Sequence, residues 1–112
     1  MNVRSQVLLW TAQRISAAVL ALCVVVHLVT MILAVRHGLS VADILGRTRG
    51  NYAWLAFYAT FVAAVAIHAP IGVRTIVSEV LGWRCTVVDL VMLALGLALA
   101  LWGWRAVFAV FA

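Results

Sequence analysis

Charge is what this sequence has least of. It carries three acidic residues, eight basic ones and no lysine at all. A soluble domain is about 25% charged, whereas this chain is 10% charged and 68% hydrophobic. A soluble protein of 112 residues has too little interior to hide that much apolar surface, so its solvent is largely lipid. Cysteine is nearly absent as well. Cys23 and Cys85 form no C-x-x-C and no His/Cys spacing suited to zinc. A disulfide between them would need Cα atoms within about 7 Å, yet Cys23 falls mid-span and Cys85 at the start of another span. Both read as small apolar fillers. Proline occurs once, as Pro70.

All the basic residues are arginines, and the formal net charge is +5. In a soluble protein that balance would raise nucleic acid as a partner. Here the arginines sit at span ends and in loops, where they anchor helices and meet lipid headgroups, so no nucleic-acid partner is expected. Met1 to Arg4 followed by an apolar run imitates a signal peptide. The run from Ile15 to Leu33, about 19 residues, exceeds a signal h-region of about 7–15, and it reads as a retained first transmembrane helix.

The pattern predicts an all-α integral membrane protein, one transmembrane domain over residues 1–112 with three helices at about 7–35, 51–80 and 85–108. Trp10, Tyr52, Trp54, Trp102 and Trp104 fall where amphipathic rings mark the interfaces. Gly38, Gly46 and Gly50 punctuate the first connection, which has room for a turn or two of surface helix capped by Ser40. Gly82-Trp83-Arg84 makes a tight turn into the third span. With an inside N-terminus, Arg4, Arg14, Arg74 and Arg84 face Arg36, Arg47, Arg49 and Arg105, so the positive-inside rule returns a tie.

Ionisable side chains inside a span are functional candidates by default, and neutral imidazole is a good iron ligand. His27 lies about eight residues, or about 12 Å, before the end of the first helix. His68 lies in the later half of the second, which runs the opposite way. Their depths therefore differ by about 10–15 Å at 1.5 Å per residue. Axial ligands of one haem need nitrogens about 4 Å apart, each about 2 Å from the metal. One iron between His27 and His68 is not expected, and each histidine asks for a partner from another helix. Around His68 the same face holds Ala64, Gly72 and Thr75. These leave room for a flat macrocycle or, equally, form a small-residue helix contact with His68 bonded across it. His37 reads as solvated. Pro70 removes the N–H that would serve the Ala66 carbonyl, which predicts a kink. Arg14, two turns inside its helix, either snorkels to the interface or meets an anionic group or carbonyl oxygen, with Ser16 as a nearby hydroxyl. Asp89 and Glu79 are candidate partners for Arg14, Arg74 or Arg84.

These residues resemble the cytochrome b membrane-anchor subunits of succinate dehydrogenase and fumarate reductase. Gln13-Arg14-Ile15-Ser16-Ala17 looks like the family's His-Arg-x-Ser/Thr-Gly. Val26-His27-Leu28 is similar to the histidine-containing end of helix one in some members. His68-Ala69-Pro70-Ile71-Gly72-Val73-Arg74 is close to His-x-x-x-Gly-Ile-Arg in helix two. Gln13, Ala17, Thr75 and Pro70 depart from the family pattern. The resemblance implies that His68 is an axial ligand of haem b, with the second ligand from a companion membrane-anchor subunit. It implies that Arg14, Ser16 and Arg74 lie near quinone or the haem propionates, and in a dihaem arrangement His27 would serve a second haem. It also implies a flavoprotein and an iron–sulfur subunit as partners, electron transfer between the latter and quinone, and a bacterial inner membrane with the N-terminus cytoplasmic. The chain would complete a multi-helix bundle with its companion. It would carry no dicarboxylate chemistry, having no flavin motif. A non-redox membrane subunit, either a half-transporter or an assembly protein, and another small membrane cytochrome b are the readings that compete with this one.

Overall fold

The computed structural model describes residues 2–112, and among them there is helix and no strand. Four helices follow in order: α1 (Val3–Arg36), α2 (Val41–Thr48), α3 (Tyr52–Ile76) and α4 (Thr86–Phe111). A π-helical turn, Val77–Leu81, extends α3. Three of these, with α3 and its extension counted as one, are long and apolar enough to cross a membrane. α1 starts a turn earlier than its apolar pattern suggests, because the Asn2 side chain accepts the Ser5 N–H at 2.8 Å and satisfies one of the first-turn donors. Ser40 caps α2 the same way, accepting from the Asp43 N–H, and Asn51 caps α3 by accepting from Ala53 and Trp54.

α3 lies between α1 and α4. The antiparallel register with α1 is fixed by Gln13 against Gly72 at one end and His27 against Tyr58 and Phe61 toward the other. Ser16, Cys23 and Thr30 are the buried residues of α1. Their seven-residue spacing makes a seam of small side chains that lets the helices approach closely. The α3–α4 seam is tighter. An added Cβ at Gly103 would lie 2.6 Å from Val62 Cγ1, and one at Gly96 would lie 3.2 Å from both the Ala66 carbonyl oxygen and Pro70 Cγ. That carbonyl is the one Pro70 leaves without its N–H donor. α3 remains helical through Pro70, and Gly96 lets the α4 backbone close over the freed oxygen.

The far end of α4 is capped by the last residue of α2 and the two that follow it. The last carbonyls of a helix lack intrahelical donors. Here the Thr48 hydroxyl donates to Val110 O at 2.9 Å, the Gly50 N–H to Phe111 O at 2.8 Å, and the Arg49 Nε–H to Ala112 O at 3.0 Å. Thr48 is 3% exposed, so water does not replace its bond. Thr48→Val is expected to lower stability by about 1 kcal/mol without altering anything at the opposite end, which a thermal melt in detergent would measure. At that opposite end Gly82 closes the π turn with φ +69°, a left-handed conformation that favours glycine.

Little is covered by the chain itself. The apolar windows of α1 and of α3 with its extension are 11% buried and that of α4 is 0% buried, so most of their surface must meet lipid or further helices.

Candidate functional site

At the end of the molecule shared by the start of α1, the end of α3 and the start of α4, polar groups gather in an otherwise apolar bundle. His68 projects from α3 one turn before Gly72. Its Nδ1 is buried without a hydrogen-bond partner, while the residue as a whole keeps part of its surface. The Gln13 amide fills the space over Gly72: Nε2 stands 3.2 Å from where a Cβ would be, and Oε1 is buried and unpartnered as well. Ala64, on the same face of α3, is buried too. The room that Ala64 and Gly72 leave beside His68 is thus taken at Gly72 by α1, and is not open to a macrocycle there. Thr75, the third residue of that face, is exposed and donates to Ile71 O.

Ser16 is buried and joins this interface. Its hydroxyl donates back to Gln13 O at 3.1 Å, a bond within its own helix. Arg14 does not share that face. It is exposed, with its guanidinium stacked on Trp10 at 5.2 Å from the ring centroid, a cation–π contact at the lipid interface. Arg74 turns toward α4, where its Nε donates to Asp89 Oδ1 at 2.7 Å. With Asp89 54% exposed, that pair contributes at most about 1 kcal/mol. Arg84 Nε donates to the Ser78 hydroxyl instead. Beside these residues an apolar groove of about 320 Å³ opens between the π turn and α4, lined by Val77, Trp83, Cys85 and Met92 among others.

His27 lies elsewhere. Its ring meets Tyr58 and Phe61 edge-on, at centroid distances of 6.1 and 5.8 Å. Those two belong to an aromatic group with Trp54 and Phe57. Phe61 and Tyr58 precede His68 by two and almost three turns, about 10–15 Å of helix. The two imidazoles are therefore in separate layers of the bundle. Among the described residues no group of three or more His, Cys, Asp or Glu gathers, and His68 stands as a single donor.

A profile of the succinate dehydrogenase/fumarate reductase transmembrane subunit family matches residues 1–103, almost the whole of the three-span bundle. The chain belongs to that family. No curated protein and no solved structure matches it. It is therefore an integral membrane subunit of the succinate dehydrogenase/fumarate reductase type, and family membership implies association with the other subunits of such a complex. The uncovered helix faces agree with that, since a subunit completed by others keeps its remaining contacts for them.

Sequence reading finds His68 and Arg74 as site residues but names Gln13, whose amide lies directly on the site, only as a departure from the family pattern. An uncharged residue two turns into a span resembles any interfacial polar group. The signal was the four-residue spacing of His68 and Gly72, which leaves an imidazole beside a gap that something on α1 must fill.

Proposed function

We propose that this subunit is a cytochrome b anchor, in which His68 supplies one axial ligand to haem b and a second membrane-anchor subunit supplies the other. The observation that carries the reading is the unpartnered His68 Nδ1 inside a membrane span. Imidazole left without a partner in lipid is costly. A metal bound at Nε2 would occupy that nitrogen and fix the proton on Nδ1, for which an acceptor must then come from within the chain. The residues fit a haem with one adjustment: because Gln13 occupies the space over Gly72, the group would reach His68 from the surface that α1 leaves free. When bound, haem b supplies a one-electron relay between the iron–sulfur subunit and quinone.

The chain's own residues do the rest. Arg74 keeps guanidinium N–H groups beyond the one committed to Asp89. Exposed Arg14 presents its charge at the same end, and both suit an anionic propionate or a polarised quinone oxygen. Buried Ser16, whose proton is used within its helix, serves the α1 turn rather than the quinone. The apolar groove beside Trp83 matches a quinone ring and tail in character. His27, packed among aromatic rings, is read as structural, giving one haem rather than two. We further assign a flavoprotein and an iron–sulfur subunit as partners, and a bacterial inner membrane with a cytoplasmic N-terminus.

The competing reading makes His68 helix glue in a non-redox subunit, and the close Gln13–Gly72 contact favours it. Purifying the chain with its associated subunits and recording a dithionite-reduced spectrum separates the two. The cytochrome reading expects b-type Soret and α bands together with flavin and iron–sulfur signals. Their absence from an intact complex would leave His68 as glue.

A further inference from the structure

We propose that Gln13 is a positioning residue for His68: its Oε1 accepts the Nδ1–H of the imidazole, holding His68 in the tautomer whose Nε2 lone pair faces outward.

Three side-chain nitrogen or oxygen atoms are buried without a hydrogen bond among the described residues: Gln13 Oε1, His68 Nδ1 and Arg47 Nε. Arg47 belongs to α2 at the far end of the bundle, so it can serve neither of the others. Gln13 and His68 flank one spot, with Gln13 over Gly72 and His68 one helical turn away on the same face of α3. An amide oxygen only accepts, whereas an imidazole nitrogen donates or accepts according to tautomer. The hydroxyls of Ser16 and Thr75 already give their protons to Gln13 O and Ile71 O. The donor left for Oε1 is therefore Nδ1 in its protonated form. Each orphan supplies what the other lacks, and an unsatisfied polar atom in lipid costs enough to drive a side-chain adjustment. Protonation at Nδ1 leaves Nε2 bare, and a bare nitrogen is what a metal or an outside donor requires.

The tautomer is a property of this chain and needs no cofactor; only its consequence for haem rests on the function proposed above. The measurement is solid-state ¹⁵N NMR of the histidine-labelled full chain in lipid bilayers, with the His68 signal identified by its loss in His68→Ala. The wild type is expected to show mainly Nδ1–H. In Gln13→Met, which keeps the shape and removes the acceptor, the Nδ1–H to Nε2–H ratio should fall about fivefold, the equivalent of one ordinary hydrogen bond. Gln13→Asn, which withdraws the amide by one methylene, should fall similarly, and Gln13→Glu, which keeps an acceptor, should not. A wild-type chain that is mainly Nε2–H, as when the Gln13 amide donates to a bare Nδ1, overturns the proposal. So does an unchanged ratio in both Gln13→Met and Gln13→Asn. In the assembled complex Gln13→Met should weaken haem retention about tenfold, the usual effect of losing a ligand's supporting hydrogen bond. A normal haem spectrum in His68→Ala would sink the ligand assignment while leaving the tautomer result standing.

Discussion

Replacing His68 by alanine is expected to remove the reduced b-type Soret and α bands of the assembled complex and to lower the melting temperature of the chain. Both halves follow from the same atoms. His68 is the one imidazole in the polar cluster at the N-terminal end of α1, and His27 lies in another layer of the bundle. Its truncation removes the hydrogen bond proposed from Nδ1 to Gln13 Oε1 and leaves that buried oxygen without a donor. The lost hydrogen bond and the cavity left behind both cost, so the chain should lose about 2–4 kcal/mol. A histidine serving only as helix glue predicts the same drop in melting temperature with no spectral change. His27→Ala provides the contrast. It loses two edge-to-face contacts, each contributing about 0.5–1.5 kcal/mol beyond buried area, so the chain should melt earlier with its haem bands intact. If His27→Ala instead takes part of the haem signal with it, a second haem lies in the other layer and the aromatic packing is secondary.

The spans were legible because length and apolarity act locally: a run of about 20 apolar residues has one stable environment whatever it packs against. The caps were legible in part. Ser40 announced itself by its spacing to Asp43, while Asn2 sat beyond the apolar pattern and moved the start of α1. His68 and Arg74 stood out because few ionisable groups occur in these spans. Their partners did not, since partnership depends on register. Asp89 was one of two anions for Arg74 until the antiparallel seam of α3 and α4 put the two together. Arg14 and Ser16 looked like neighbours in sequence, but residues two apart on a helix face different ways. One is on the surface with Trp10 and the other is inside against Gln13 O. The small residues around His68 carried two meanings, room for a ligand or contact with a helix, and only the Gln13 amide over Gly72 decided between them at that position. Orientation was not legible from charge, because the arginines divide evenly between the two ends; only the family resemblance implied a cytoplasmic N-terminus.

Gly96 and Gly103 were the least visible residues, since what makes them necessary lies on α3, and they set the second large expectation. Gly103→Ala should destabilise the bundle by about 1–3 kcal/mol, whereas Gly46→Ala, with nothing within 4 Å of the new Cβ, should be neutral or slightly stabilising as alanine replaces glycine in a helix. At Gly103 the added carbon would lie 2.6 Å from Val62 Cγ1 and 3.0 Å from Cγ2. A valine on a helix is held largely to one χ1 rotamer, so neither methyl can swing away cheaply and the two backbones must part. Parting them reaches further than Val62. The same seam closes α4 over the Ala66 carbonyl at Gly96 and ends at the Arg74–Asp89 pair, one turn and a half beyond His68. Thermal melts of both variants in the same detergent give the direct comparison, and Gly103→Ala melting with the wild type would show that the α3–α4 approach is looser than its geometry. Adding Val62→Ala to Gly103→Ala removes the obstructing methyls. The pair should then recover much of the loss that Gly103→Ala alone incurs, a coupling of contacting residues that independent sites do not show. If haem retention in the assembled complex follows the same recovery, the seam positions His68 through the α3 backbone; if it does not, the α1 side with Gln13 holds the imidazole unaided.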